Sequence, residues 1–212
     1  MYQSERDRPL VIDLSGGSPD LVPEWTPWMM RALSAAGLNE TTYLWSDDNL
    51  STTYLFDKLS PNDLKRVIGY RNYGRVCCFK GFDARSFTFN TRAAETDFDL
   101  QFEIMGRLLE VGLDLYGYAT FTAPDANEID TAMRIFVDRL QALDANLPLR
   151  VVPLEIREFS PVSPRMDDLH RQSLLVQHAA IAAWQRELES RFTAHRRSLE
   201  IADVPLRGRS PS

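Results

Sequence analysis

At 212 residues the chain can bury one sizeable core, and with 44% hydrophobic and 25% charged residues it has the make-up of an ordinary globular domain. A formal net charge of -6 argues against a general nucleic-acid binder. No apolar run reaches membrane-spanning length and the opening MYQSERDR is polar, unlike a secretory signal, so no membrane partner and a cytoplasmic location are expected.

In chain order, short apolar runs alternate with helical patterns. LVIDL (10–14) reads as a strand, and EWTPWMMRALSAAGL as a helix that stops at Gly37. TTYLWS (41–46) is the second strand. SPNDLKRVIGY opens with a Ser N-cap and Pro at the first helical position. RVCCFKG (75–81) is the third strand. A strong helix follows over 96–112, with Leu100, Ile104, Leu108 and Val111 on one face. LYGYATFT (115–122) is the fourth strand, 124–143 a helix with Pro and acids in its first turn, and LRVVPLEI (149–156) the fifth strand.

Strands separated by helix-length crossovers must run parallel. The pattern predicts five parallel strands in sequential order, forming an open curved sheet with helices on its convex side. A doubly wound sheet is the other architecture that such alternation allows. The edge beside residues 10–14 is expected to have no neighbour from this chain, or to be covered by the C-terminal helix or a second protomer.

Past residue 160 the character changes. SPVSPR is a Pro/Ser linker, and a long helical pattern runs from Met166 to about Leu199, with Leu174, Ile181, Trp184, Leu188 and Phe192 at helical spacing. Arg171, Arg186, Arg191, Arg196 and Arg197 occupy its other face, which predicts a helix packed across the domain with a solvated basic side. A partner-docking helix is the sharper alternative. The tail RGRSPS reads as a frayed end. The expected division is therefore 1–160 and 161–212.

The two cysteines, Cys77 and Cys78, are adjacent on a strand and point to opposite faces, so they do not share a metal easily. His170, His178 and His195 are read as surface or core residues, not as ligands.

In parallel α/β architectures ligands bind at the C-terminal ends of the strands. Those ends read SGGSPD, SDDNLS, KGFDARSF, TAPD and REFSPVSPR. Gly16 and Gly17 let a polar ligand touch main chain. The loop matches neither a dinucleotide fingerprint nor a P-loop. Lys80 ends its strand facing the expected site. Asp47 and Asp48 read as a solvated turn or a Mg²⁺ site with no third carboxylate. Tyr116, Tyr118 and Thr120 share one strand face. Asp13, inside an apolar run, requires a partner such as Arg75 or Lys80.

A strand into GGSP, then YLWSDDNLS, VCCFKGFDARSF and YGYATFTAPD, resembles the radical S-adenosylmethionine superfamily, closest to its glycyl-radical-activase branch. The resemblance spans residues 9 to about 157. It implies a partial (β/α) TIM-like barrel lacking its first βα unit, followed by the long C-terminal helix. Gly16, Gly17, Ser18 and Pro19 stand where that family has GGEP, whose backbone holds the cofactor's amino group, with Ser18 in place of Glu. Ser46 and Asp47 end the next strand, where the family often has TNG. Cys78 and Lys80 match a DxK pair that keeps only the Lys. By resemblance these residues bind S-adenosylmethionine. The family's CxxxCxxC, whose three thiolates hold a [4Fe–4S] cluster, is absent here. A second chain or a missing N-terminal segment would then have to carry the cluster. A class I methyltransferase-like domain and a non-catalytic partner subunit are the alternatives.

Overall fold

The computed structural model describes residues 8–158 and 163–207. Five strands, β1 (Val11–Leu14), β2 (Tyr43–Asp48), β3 (Tyr73–Phe79), β4 (Asp114–Thr120) and β5 (Val151–Leu154), form one sheet. The order is β1-β2-β3-β4-β5 and every adjacent pair is parallel. Strand order does not reverse, so the doubly wound arrangement is not the one adopted.

Helices fill the crossovers: α1 (Trp25–Ala35), α2 (Tyr54–Asp57), α3 (Pro61–Gly69), α4 (Ala84–Thr91), α5 (Phe98–Glu110) and α6 (Ile129–Leu143). Beyond β5 come α7 (Asp168–Arg191) and the short α8 (Ala194–Arg197). At α3, Ser60 Oγ accepts from the Asp63 N–H at 3.1 Å, with Pro61 at the first helical position, as the sequence predicts. Two helices were not expected: α2 lies past the strand-end segment SDDNLS, and α4 begins within KGFDARSF. They are too short for apolar periodicity to reveal. α4 instead starts from a reciprocal capping box between Asp83 and Ser86.

Period-two alternation divides the sheet into two unlike faces. Leu14, Leu44, Tyr73, Cys77, Phe79, Leu115, Ala119 and Phe121 join the hydrophobic core with Met30, Val67, Met105, Leu108 and Phe136 from the helices. The opposite face carries Asp13, Tyr43, Trp45, Asp47, Val76, Cys78, Tyr116 and Tyr118, with the Arg150 guanidinium 4.8 Å from the Tyr116 ring centroid. Aromatic side chains shield that face: the Trp45 and Tyr116 rings lie 5.5 Å apart, and Val76 is buried.

α7 packs along α6, with Trp184 set against Phe121 and Phe136 at 5.6 and 6.1 Å. Its arginines are engaged locally: Arg186 with Asp130, Arg191 with Asp138 and Glu187, and Arg197 with Glu189. α7 therefore lies at the β4–β5 end and leaves the β1 edge alone. Among the described residues β1 pairs only with β2. Part of the expected linker, 159–162, and of the tail, 208–212, lies outside the described residues.

Candidate functional site

Three loops meet above the C-terminal ends of β1, β2 and β3. Gly16 and Gly17 follow β1 with φ of +94° and +69°, in the region that L side chains rarely adopt. A Cβ at either position would meet no atom within 4 Å, so the space over this backbone is open. Ser18 Oγ then accepts from Asn49 Nδ2 at 3.0 Å, which ties the β1 loop to the β2 loop. Pro19 is buried and starts a single 3-10 turn, Pro19–Leu21. Asp20 within it is only 2% exposed; its Oδ2 accepts from Ser51 Oγ at 2.9 Å, while its Oδ1 has no partner among the described residues.

β2 ends as the strand Tyr43–Asp48, so Asp47 and Asp48 belong to the sheet and point to opposite faces. They cannot share a Mg²⁺ ion. Ser46 turns to the helix side, where its Oγ lies 2.7 Å from the Tyr73 hydroxyl. Asp48 lies on that same side, with Oδ2 accepting from Arg75 Nε at 2.7 Å and Oδ1 from the Leu50 N–H at 2.7 Å. Arg75 is thus spent on Asp48. The expected Asp13–Arg75 pair is not formed, because alternation sends the two side chains through opposite faces. Burial disfavours charge on Arg75, but Asp48 and Tyr73 beside it more than compensate and hold its pKa above the ordinary guanidinium value. The buried pair anchors Leu50, which is itself at a positive φ of 51° on the loop. Non-glycine backbone held there costs free energy that the surroundings must supply.

At the end of β3, the Lys80 main chain is fixed from both sides. Its N–H donates to Gln101 Oε1 at 2.7 Å, and its carbonyl accepts from Asn90 Nδ2 at 2.9 Å. Asn90 also donates to the Thr122 carbonyl at 3.0 Å, joining the ends of β3 and β4. No carboxylate among the described residues forms an ion pair with the Lys80 ammonium. Between these parts lies a cavity of about 670 Å³, lined by Ser18, Asn49, Ser51, Lys80, Phe87 and Leu100 among others. This is the size of a small-ligand site, with an apolar wall and a few polar groups.

Of the residues expected from sequence, Ser18 and Lys80 share this cavity. Gly16 and Gly17 form the exposed turn that leads into it, and Pro19 lies beneath. Asp47 sits beside Asp13 on the sheet face opposite the hydrophobic core. Ser46 belongs to the buried network below. Asp20, Ser51, Asn90 and Gln101 were missed. Asp20 and Ser51 lie within the strand-end segments SGGSPD and SDDNLS and so carried a local signal; Asn90 and Gln101 reach the site through the tertiary fold.

Asp13 is exposed rather than buried, yet partial desolvation raises its pKa and the neighbouring Asp47 charge adds to it. Burial likewise pushes the Cys77 thiol well up and the Cys78 thiol up, so neither is a ready thiolate. The two sulfurs lie on opposite faces, and among the described residues no group of three His, Cys, Asp or Glu could hold a metal ion. These residues do not fit an iron–sulfur cluster. They suit a zwitterionic organic ligand better: main chain stands open at Gly16 and Gly17, and Lys80 lines the cavity.

Fold and site together define an all-parallel α/β domain with a cavity of mixed polar and apolar lining at its strand ends. Comparison with protein-family models, with curated proteins and with solved structures finds no match to this chain.

Proposed function

We propose that this chain is the cofactor-holding part of a radical S-adenosylmethionine-type enzyme, a partial (β/α) barrel that binds S-adenosylmethionine across its strand C-terminal ends. One observation carries the proposal: two consecutive glycines at positive φ, under open space, directly after the first strand of a sequentially ordered parallel sheet. Main-chain groups at Gly16 and Gly17 would meet the cofactor's amino group, and Lys80 would face its carboxylate. Ser18 is held by Asn49, which sets the loop before a ligand arrives. In the family that this chain resembles, the cofactor acts with a reduced cluster to supply hydrogen-atom abstraction. The cluster's thiolates would have to come from outside this sequence, so the part left to these residues is to bind and orient.

The unreversed strand order counts against a methyltransferase-like doubly wound sheet. A partner-docking role for the basic side of α7 has no support from the engaged arginines.

Titration of isotope-labelled protein with S-adenosylmethionine tests the proposal. Saturable shifts of the Gly16 and Gly17 amides are expected, lost in Gly17→Val with the remaining spectrum intact. Lys80→Ala should weaken binding less, by roughly 1.5–3 kcal/mol, because it removes one charged donor. No saturable shift at either glycine at any soluble cofactor concentration would remove the cofactor assignment.

A further inference from the structure

The β1 end of the domain is unfinished in both of its layers. In the sheet layer, β1 has a neighbour on one side only among the described residues. The Tyr43 N–H donates to the Leu10 carbonyl at 2.8 Å, so residues 10, 12 and 14 direct their main-chain groups toward β2. By alternation, Val11 and Asp13 direct theirs outward from the sheet edge. In the helix layer, α1 has one charged residue in eleven, Arg31, which reaches α3 through Asp63 at 2.5 Å. Its Thr26, Met30 and Leu33 are buried against the core. Trp25, Trp28 and Ala32 form a second, exposed apolar stripe at i, i+3 and i+7. A helix apolar on both sides is built to be covered on both.

Among the described residues, six of the twelve exposed large hydrophobics fall between positions 10 and 28: Leu10 at 76%, Trp28 at 54%, Trp25 at 45%, and Val11, Leu21 and Val22. Together they expose roughly 600 Å² of side chain, at the upper end of what a monomer ordinarily shows. Doubled across a two-fold axis, this becomes roughly 1,200 Å², the lower bound of specific interfaces before any main chain is counted.

We infer that this flank binds a second copy of the chain, β1 against β1 in antiparallel pairing, around a two-fold axis normal to the sheet. Such an axis keeps both helix layers on one side, so the α1 stripe with Trp25 and Trp28 meets its own equivalent. The outward groups select the register. Val11 of one copy lies opposite Asp13 of the other, and each pair exchanges two main-chain hydrogen bonds. This register keeps the two Asp13 carboxylates from facing each other directly, an arrangement that would be destabilising. A two-fold contact of one patch with itself closes, and removes both exposed edges at once. The inference uses no residue of the cofactor cavity, but a second copy and a cluster-bearing βα unit would occupy the same β1 edge, so a dimer there excludes that unit from the edge.

Sedimentation velocity of the full chain across a concentration series tests it. The expected result is a dimer that dissociates on dilution. Trp28→Glu, with an unchanged circular dichroism spectrum, should raise the dissociation constant at least about thirtyfold, the size expected for a buried tryptophan hot spot. Leu10→Lys is the second variant, placed outside the helix, and should act in the same direction. Leu175→Glu, on α7 and 71% exposed, should leave the dimer intact. A monomer at every concentration overturns the inference. So does a dimer that Leu175→Glu breaks, or one that survives both Trp28→Glu and Leu10→Lys.

Discussion

Arg75 Nε lies 2.7 Å from Asp48 Oδ2 between the sheet and its helices, with both side chains 2% exposed, and the same carboxylate holds the Leu50 N–H. A charge pair under the sheet therefore shapes the loop above it. A buried pair has little net stabilising value against apolar replacements, but removing one partner strands the other.

Asp48→Ala is expected to destabilise the fold by about 3–5 kcal/mol, because Arg75 is left buried and uncompensated. Urea unfolding should show it. Asp48→Leu combined with Arg75→Met should recover most of the loss in stability while leaving the Asn49–Ser51 loop poorly ordered. A double variant no more stable than the single one would show that the loop contact to Leu50 dominates.

Gly17→Val should cost about 1–3 kcal/mol from the backbone alone, since valine at a φ of +69° is strained while its Cβ meets nothing. Gly81→Ala should destabilise for another reason. A Cβ there would come within 2.5 Å of the Phe87 main-chain nitrogen, which cannot move without shifting α4. Thermal melts of both variants, read beside a structure of Gly17→Val, separate strain from clash.

Asp13 should titrate above its ordinary value, and Asp47→Asn should lower its midpoint, because partial desolvation first and the Asp47 charge second hold it up. The folded protein then keeps this proton at a pH where the unfolded chain has released it. Its contribution to stability is thus most favourable in acid and declines as pH rises from the unfolded-state pKa through the higher folded one. Carboxyl carbon shifts followed by NMR across pH give the midpoint; a value at or below that of free aspartate contradicts that desolvation.

Neither thiol should react quickly with a disulfide reagent near neutral pH, since burial raises both and only the thiolate attacks. Cys78, partly exposed, should react before Cys77, which becomes accessible on unfolding. Fast labelling of Cys77 in the native protein would mean that β3 opens locally.

The sequence alone determined the five strands, their parallel direction and most of the helices. These follow from local patterns: apolar runs, helical spacing, caps, and crossovers too long for a hairpin. It also marked the Gly16–Gly17 turn and Lys80, because a paired glycine after a strand and a cation at a strand end are local signals. Only the tertiary structure decided which face each strand residue occupies. The start of β2 at Tyr43 sets Ser46 and Asp48 under the sheet and Asp47 above it, and a one-residue shift would exchange them. That register joined Arg75 to Asp48 and left Asp13 to Asp47. Asn90 and Gln101 reach the site through contacts across 10 to 32 positions. Such contacts exist only once the chain has closed on itself, so no local pattern could have announced them.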